Sequence, residues 1–201
     1  MKRIPFALLG IWLAGMLALS ACASADQTAE TDAIEPSTTD AQSDAEQTNT
    51  GVLSSFSTTD LDGNTVDQSI LADYDLTMVN VWATFCRPCI NEMPDLGELA
   101  EEYADKNVQI IGLVSDVLNM DGTISEEQVQ TARDIVEQTG ANFVDLVASE
   151  DLYGVLGQIA AVPTTFFVDK EGAQVGSAIV SAQSKDKWVQ TIDEMLTEVQ
   201  E

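Results

Sequence analysis

Val79-Asn80-Val81-Trp82-Ala83-Thr84-Phe85-Cys86-Arg87-Pro88-Cys89-Ile90-Asn91-Glu92-Met93-Pro94 carries an apolar run straight into two cysteines spaced C-x-x-C. The run, residues 76–83, is apolar on both faces, as a strand in the middle of a sheet should be. From Cys86 to Ala104, apolar side chains fall at Cys89, Met93, Leu96, Ala100 and Tyr103. Steps of four, three, four and three draw one face of an amphipathic helix. Pro94 lies inside that helix and is expected to kink it. The cysteine pair therefore sits where a central strand ends and a helix begins.

Working outward, residues 56–66 place Asp62-Gly63-Asn64 between short β-prone runs, a hairpin signal. Residues 108–114 form a second two-sided apolar strand. Ser125 with Gln128 reads as a capping box for a helix that runs to Gly140. Residues 143–147 read as a short strand and 153–161 as a short helix. A strand at 164–168 turns through Asp169-Lys170-Glu171-Gly172 into a partner ending near Val180. Ser184 is placed to cap a last helix with the stripe Trp188, Ile192, Met195 and Val199. Strand–helix–strand units followed by a closing hairpin predict an α/β domain around a mixed sheet. By length, residues 51–201 make one domain, large enough to bury roughly two-thirds of its unfolded surface.

The chain begins differently. Lys2 and Arg3 precede an apolar run over residues 6–19, and small residues follow up to Cys22, which describes a secretory signal. The competing reading is an uncleaved spanning helix over residues 4–21. Leu19-Ser20-Ala21-Cys22 resembles the lipobox of bacterial lipoproteins, whose cysteine is acylated and becomes the mature N-terminus. Residues 1–21 are then a lipoprotein signal peptide, and lipid on Cys22 supplies the membrane affinity. Residues 23–50 contain no Lys or Arg and one large aliphatic, Ile34, too little apolar surface to offset the entropy of ordering. Residues 22–50 are read as the lipidated cysteine and a disordered acidic tether, with a reach of roughly 30 Å. Either reading of the first residues puts the domain outside the cytoplasm, lipid-anchored to a bacterial membrane in the favoured one. With 8 basic and 34 acidic residues the net charge is −26, which argues against nucleic acid and against adhesion to anionic lipid.

The chain has three cysteines, and acylation of Cys22 leaves Cys86 and Cys89. The thiolate is the nucleophile in disulfide exchange, and a helix N-terminus favours it. Arg87 adds a positive charge beside it, and Pro88 suits a first helical turn. Cys86 is expected to attack a partner disulfide and Cys89 to resolve the mixed disulfide. A metal site would need more ligands than this chain, without histidine, provides. A purely structural disulfide would close too short a loop to constrain the unfolded chain much. The exchange itself requires no cofactor and no metal.

Residues 79–94 resemble the active-site signature of the extracytoplasmic thioredoxin-like family that includes TlpA and ResA. Ala161-Val162-Pro163-Thr164-Thr165-Phe166-Phe167-Val168-Asp169 resembles that family's second signature, and the likeness spans most of residues 53–201. The resemblance implies a thioredoxin fold: a mixed sheet flanked by helices, with an N-terminal β-hairpin and a central αβ insertion. It matches Pro163 to the cis-proline that faces the cysteine pair and helps flanking backbone receive an extended substrate. It matches Glu92 to a carboxylate that is partly buried near the cysteines in ResA-like members and takes part in proton handling. Such a carboxylate raises the cost of a second negative charge on Cys89. The plainer reading of Glu92 is a solvated helix glutamate on an acidic protein. Trp82 matches as well, although core packing explains it equally. Phe85 stands where thioredoxins usually have Trp, which alters the surface beside Cys86 and hence partner preference.

The function implied is reduction of disulfides in exported proteins, with apocytochrome c or a secreted methionine sulfoxide reductase as the downstream partner. Electrons would arrive from the cytosol through a CcdA- or DsbD-like membrane protein. Two other functions compete. A peroxiredoxin-like thiol peroxidase would resemble Pro-x-x-x-Thr-x-x-Cys, whereas Thr84 stands two residues before Cys86 and no proline occupies the required place. A non-catalytic lipoprotein would use the same groove to bind exported polypeptides or metal.

Overall fold

The computed structural model describes residues 51–201; the expected signal peptide, Cys22 and the tether lie outside the described residues. Asp60 Oδ1 accepts from the backbone N–H of Asp62 at 2.9 Å and of Asn64 at 2.8 Å, tightening the turn around Gly63. That turn closes an antiparallel hairpin of β1 (Ser57–Thr59) and β2 (Thr65–Asp67), a two-stranded sheet of its own. β3 (Leu76–Trp82) is buried at every position. It leads through a short loop into α1 (Arg87–Ala104), which runs unbroken through Pro94. Then come β4 (Val108–Val114), α2 (Glu126–Thr139), β5 (Val144–Val147), α3 (Tyr153–Leu156), β6 (Thr164–Val168), β7 (Gln174–Val180) and α4 (Lys185–Val199).

The main sheet has the order β5-β4-β3-β6-β7, so the strand that delivers the cysteines is central. β3–β4 and β4–β5 are parallel, while β3–β6 and β6–β7 are antiparallel, giving the mixed sheet expected. Alternation along β3 divides the core. Val79 and Val81 pack with Leu53, Phe56, Leu71, Leu152 and Phe166 beneath the N-terminal segment and α3. Met78 packs with Leu96, Leu99, Tyr103, Trp188 and Ile192 of α1 and α4. Trp82 packs with Cys86, Cys89, Met93, Val129 and Ala132 beneath α1 and α2. The hairpin docks along β5: Leu61 N–H donates to Asp145 C=O at 3.1 Å and Thr58 Oγ1 to Val147 C=O at 2.6 Å. At the far side, the β6–β7 register shifts between Thr165 and Phe167.

Three local expectations change. The helix expected over 153–161 covers only Tyr153–Leu156, preceded by a 3-10 turn at Glu150–Leu152. Gly154 and Gly157 weaken it, and Pro163 biases Val162 away from helical backbone. Ser184 occupies the N-cap position of α4, yet its side chain makes no capping hydrogen bond. Ser125 Oγ does accept from Gln128 N–H, at 3.4 Å, but the Gln128 amide turns away to Thr84 and Asp116. Gly140 ends α2 with φ +70°, a left-handed conformation that glycine adopts without steric cost. Among the described residues no helix is long and apolar enough to cross a membrane.

Candidate redox site

The loop between β3 and α1 is held at two points. Cys86 N–H donates to Ala83 C=O at 3.0 Å, making a tight turn. Thr84 gives its backbone N–H and its hydroxyl to the Asp116 carboxylate, the hydroxyl at 2.6 Å. Asp116 lies just beyond β4, so two neighbouring parallel strands are tied together at the end where the cysteines emerge. Thr84 Oγ1 is thereby committed to Asp116.

Cys86 is the N-cap of α1, and its Sγ accepts from Cys89 N–H at 3.3 Å. A backbone donor that would otherwise be unsatisfied at the helix start thus points at the sulfur, where a thiolate would be stabilised. Cys86 and Cys89 are joined as a disulfide. Their exposures differ in the sense that exchange chemistry requires, 5% for Cys86 and 0% for Cys89. The helix start is less open than its sequence suggests: Arg87 and Pro88 are exposed, while Cys86 shows solvent only a small part of its surface.

Glu92 lies one turn beyond Cys89 and is 3% exposed, so it is not the solvated helix glutamate of the plainer reading. Its Oε1 accepts from Asn80 Nδ2 at 3.2 Å. Its Oε2 accepts from Gln183 N–H at 3.0 Å and from Trp188 Nε1 at 3.3 Å. Burial pushes the carboxyl above the ordinary carboxylate range; the three hydrogen bonds pull the other way, and nearby Asp95 adds to the rise. Asn80 also donates to Thr165 Oγ1 at 3.0 Å, joining the Glu92 cluster to the strand that follows Pro163. The Val162–Pro163 peptide is cis, Pro163 is buried, and Val162 packs against the cluster that contains both cysteines. Beside them runs a groove of about 530 Å³ lined by Phe85, Ser115, Leu156, Ile159, Ala160 and Val162. Phe85 is 75% exposed at its rim.

Sequence reasoning passed over Asn80, Asp116 and Asp145. Asn80 and Asp145 carried a signal, each being a strongly polar residue inside a largely apolar strand, which demands a buried partner. Asp145 Oδ1 accepts from Trp82 Nε1 at 2.7 Å, and burial raises its pKa to about 7, against the pull of that hydrogen bond. Asp116 carried none, because its contact with Thr84 spans 32 residues. Among the described residues no three His, Cys, Asp or Glu side chains converge as a metal site.

An N-capping sulfur with one sheltered partner is the equipment of dithiol–disulfide exchange, and comparison with known proteins leads to the same chemistry. Residues 52–173 match the AhpC/TSA family. The thiol-disulfide oxidoreductase ResA of Bacillus thuringiensis (strain Al Hakam) is 31% identical over 133 residues, 66% of this chain and 69% of that protein. The thioredoxin-like protein YneN of Bacillus subtilis (strain 168) is 31% identical over 117 residues, 58% of this chain and 62% of that one. In three dimensions, a thioredoxin-family thiol:disulfide interchange protein from Chlorobium tepidum TLS superimposes with a TM-score of 0.59. That superposition, at 24% identity, covers 71% of this chain and 93% of the other, and it shows the thioredoxin fold. Fold, paired cysteines and relatives agree: the chain belongs to the AhpC/TSA family as a ResA-like thiol–disulfide oxidoreductase, and its substrates carry disulfides.

Proposed function

We propose that this oxidoreductase works as a reductase of exported proteins, outside the cytoplasmic membrane and anchored there by lipid on Cys22. The observation that carries the chemistry is the pairing of a slightly exposed, N-capping Cys86 with a fully buried Cys89. The Cys86 thiolate attacks one sulfur of a substrate disulfide, forming a mixed disulfide and releasing the first substrate thiolate. Cys89 then gives up its proton and attacks the Cys86 sulfur. This closes the Cys86–Cys89 disulfide and releases the second thiolate, so two electrons pass to the substrate. Glu92, one turn away and with its carboxyl pushed upward by burial, takes part in handling the Cys89 proton. Pro163 and the apolar groove bounded by Phe85 and Val162 receive the extended substrate backbone. A CcdA- or DsbD-like membrane protein returns two electrons to the pair, and apocytochrome c or a secreted methionine sulfoxide reductase lies downstream.

The test is capture in cells with full-length Cys89→Ala. The resolving step is then blocked, and Cys86 should accumulate in mixed disulfides with exported proteins that reducing agent releases. A folded Cys89→Ala protein that forms none would remove the reductase reading. Cys22→Ser should lose fatty-acid label and leave the membrane fraction, or persist as precursor. Label retained in Cys22→Ser would remove the lipid anchor.

A further inference from the structure

Four registered positions cross the main sheet in one row, Thr165 on β6, Asn80 on β3, Gly112 on β4 and Asp145 on β5. Three carry polar side chains and the fourth carries none, and Asp145 is the only acidic residue in the five strands of the main sheet. One end of the row is fully accounted for, since Asn80 serves Thr165 and Glu92. The Asp145 end is not. Asp145 Oδ1 accepts from Trp82 Nε1, while Oδ2 is buried without a partner among the described residues. A Cβ on Gly112 would lie 1.8 Å from Asp145 Oδ1 and 3.1 Å from Trp82 Nε1, so the missing side chain is the space that the carboxyl occupies.

The charged groups near Asp145 do not neutralise it. The groove against which β5 packs holds Asp60 and Asp62 from the hairpin and Arg133 and Glu137 from α2. Arg133 Nε lies 3.7 Å from Asp62 Oδ1 and makes no hydrogen bond among the described residues, and Arg133 is not among the groups that lower the Asp145 carboxyl. β4 offers only Gly112 at this register, and α1 supplies the other buried carboxyl, Glu92. A half-satisfied buried carboxyl is destabilising relative to an apolar side chain of similar shape. It touches the one indole that is packed in the same cluster as Cys86 and Cys89.

We propose that Asp145 is a positioning residue for the redox pair: it fixes Trp82 in the cluster that holds the sulfurs, and its carboxyl changes protonation with their redox state. The inference rests on Cys86 and Cys89 being the redox pair. Reducing the disulfide takes up two electrons and two protons. One proton stays on the Cys89 sulfur. The other is shared between the Cys86 sulfur and Asp145, whose carboxyl is joined to the sulfurs' cluster through Trp82, because two negative charges in a low-dielectric interior disfavour each other. The reduced pair thus holds Asp145 protonated, and ionised Asp145 favours the disulfide. Burial, which lifts the carboxyl to about 7, puts this exchange near neutral pH.

The experiment equilibrates full-length parent, Asp145→Asn and Glu92→Gln with glutathione buffers from about pH 5 to about pH 9, with thiol alkylation as readout. Asp145→Asn should match the parent in acid and, above neutrality, shift toward the dithiol by up to about tenfold, the factor for one pKa unit of coupling. Glu92→Gln should keep the Asp145 step. Profiles of Asp145→Asn and parent that superimpose after normalisation overturn the inference and leave the redox assignment standing. A parent that never equilibrates with glutathione overturns the redox assignment itself. Should Asp145→Asn not fold, the redox-difference infrared spectrum of Glu92→Gln decides. A protonated-carboxyl band that responds to reduction supports Asp145, and its absence overturns the proposal.

Discussion

Asn80 Nδ2 donates to Glu92 Oε1 at 3.2 Å, a buried hydrogen bond that ties the strand entering the cysteine loop to the helix leaving it. Neither residue can be exchanged without consequence for the other, since the carboxylate accepts from three donors and has no cation beside it.

Glu92→Gln presents one carbonyl oxygen where the carboxylate offered two, leaving its amide facing a donor. It is expected to cost about 1–3 kcal/mol of stability. The pH dependence follows from the raised folded-state pKa. Protonated Glu92 is favoured in the fold, so its contribution is present below the ordinary value of 4.5 and is lost as pH rises through the raised one. Glutamine flattens that dependence and changes the rate–pH profile of disulfide exchange. Stopped-flow exchange with a model disulfide across pH checks this, and coincident profiles would reduce Glu92 to scaffold.

Asp145 follows the same sign over a wider window, from its ordinary 3.8 to about 7. Stability is greatest where the group is protonated and falls as pH rises through that window, by on the order of 4 kcal/mol. Asp145→Asn should keep the Trp82 hydrogen bond and be relatively more stable than the parent above neutral pH. Urea unfolding at acid and alkaline pH measures the difference. Gly112→Ala drives a methyl group into the carboxyl and should cost about 1–3 kcal/mol. Combined with Asp145→Ala, the two costs should not add.

Phe85→Ala removes an exposed ring from the groove rim, so stability should stay within about 0.5 kcal/mol of the parent. KM for a folded disulfide substrate should rise while the reaction with a small disulfide is unchanged. An equal loss on both would assign Phe85 to the cysteine chemistry rather than to docking.

The reduction potential should lie near the roughly −270 mV of thioredoxin and far from the roughly −120 mV of DsbA. The helix N-terminus and Arg87 favour the Cys86 thiolate. Against them stand 27 acidic residues after residue 50, with 6 basic ones, and two buried carboxyls on the face that carries the pair. Their negative charge disfavours a thiolate and so favours the disulfide. Equilibration with dithiothreitol measures it, and a value near that of DsbA would reverse the direction of electron flow.

What was legible in the sequence was whatever a short window contains. Central strands, the helix stripe from Cys89 to Tyr103 and the Gly140 stop are periodic or conformational signals, and they hold. The short α3 ends early because Val155, Leu156 and Ile159 supply a helical stripe that Gly154 and Gly157 cannot sustain. The polar framework was hidden for another reason. Asp116 meets Thr84 and Glu92 meets Gln183 only after strands have paired and α4 has packed, 32 and 91 residues apart. Asp145 becomes intelligible only with Gly112 beside it, since the space for the carboxyl is created by a residue on another strand.

The docked hairpin matters for any extended chain that meets this sheet. A sheet's outermost strands expose unpaired N–H and C=O groups, a template for any extended polypeptide. Here the hairpin uses that boundary of β5 itself, through the Asp60–Leu146 bridge and the bonds to Asp145 and Val147. At the opposite boundary β7 is held to β6 through a register shift between Thr165 and Phe167, which makes the outermost strand a less regular template. The β5 boundary is thereby closed to strand addition by an extended polypeptide, while the groove beside Cys86 stays open to one.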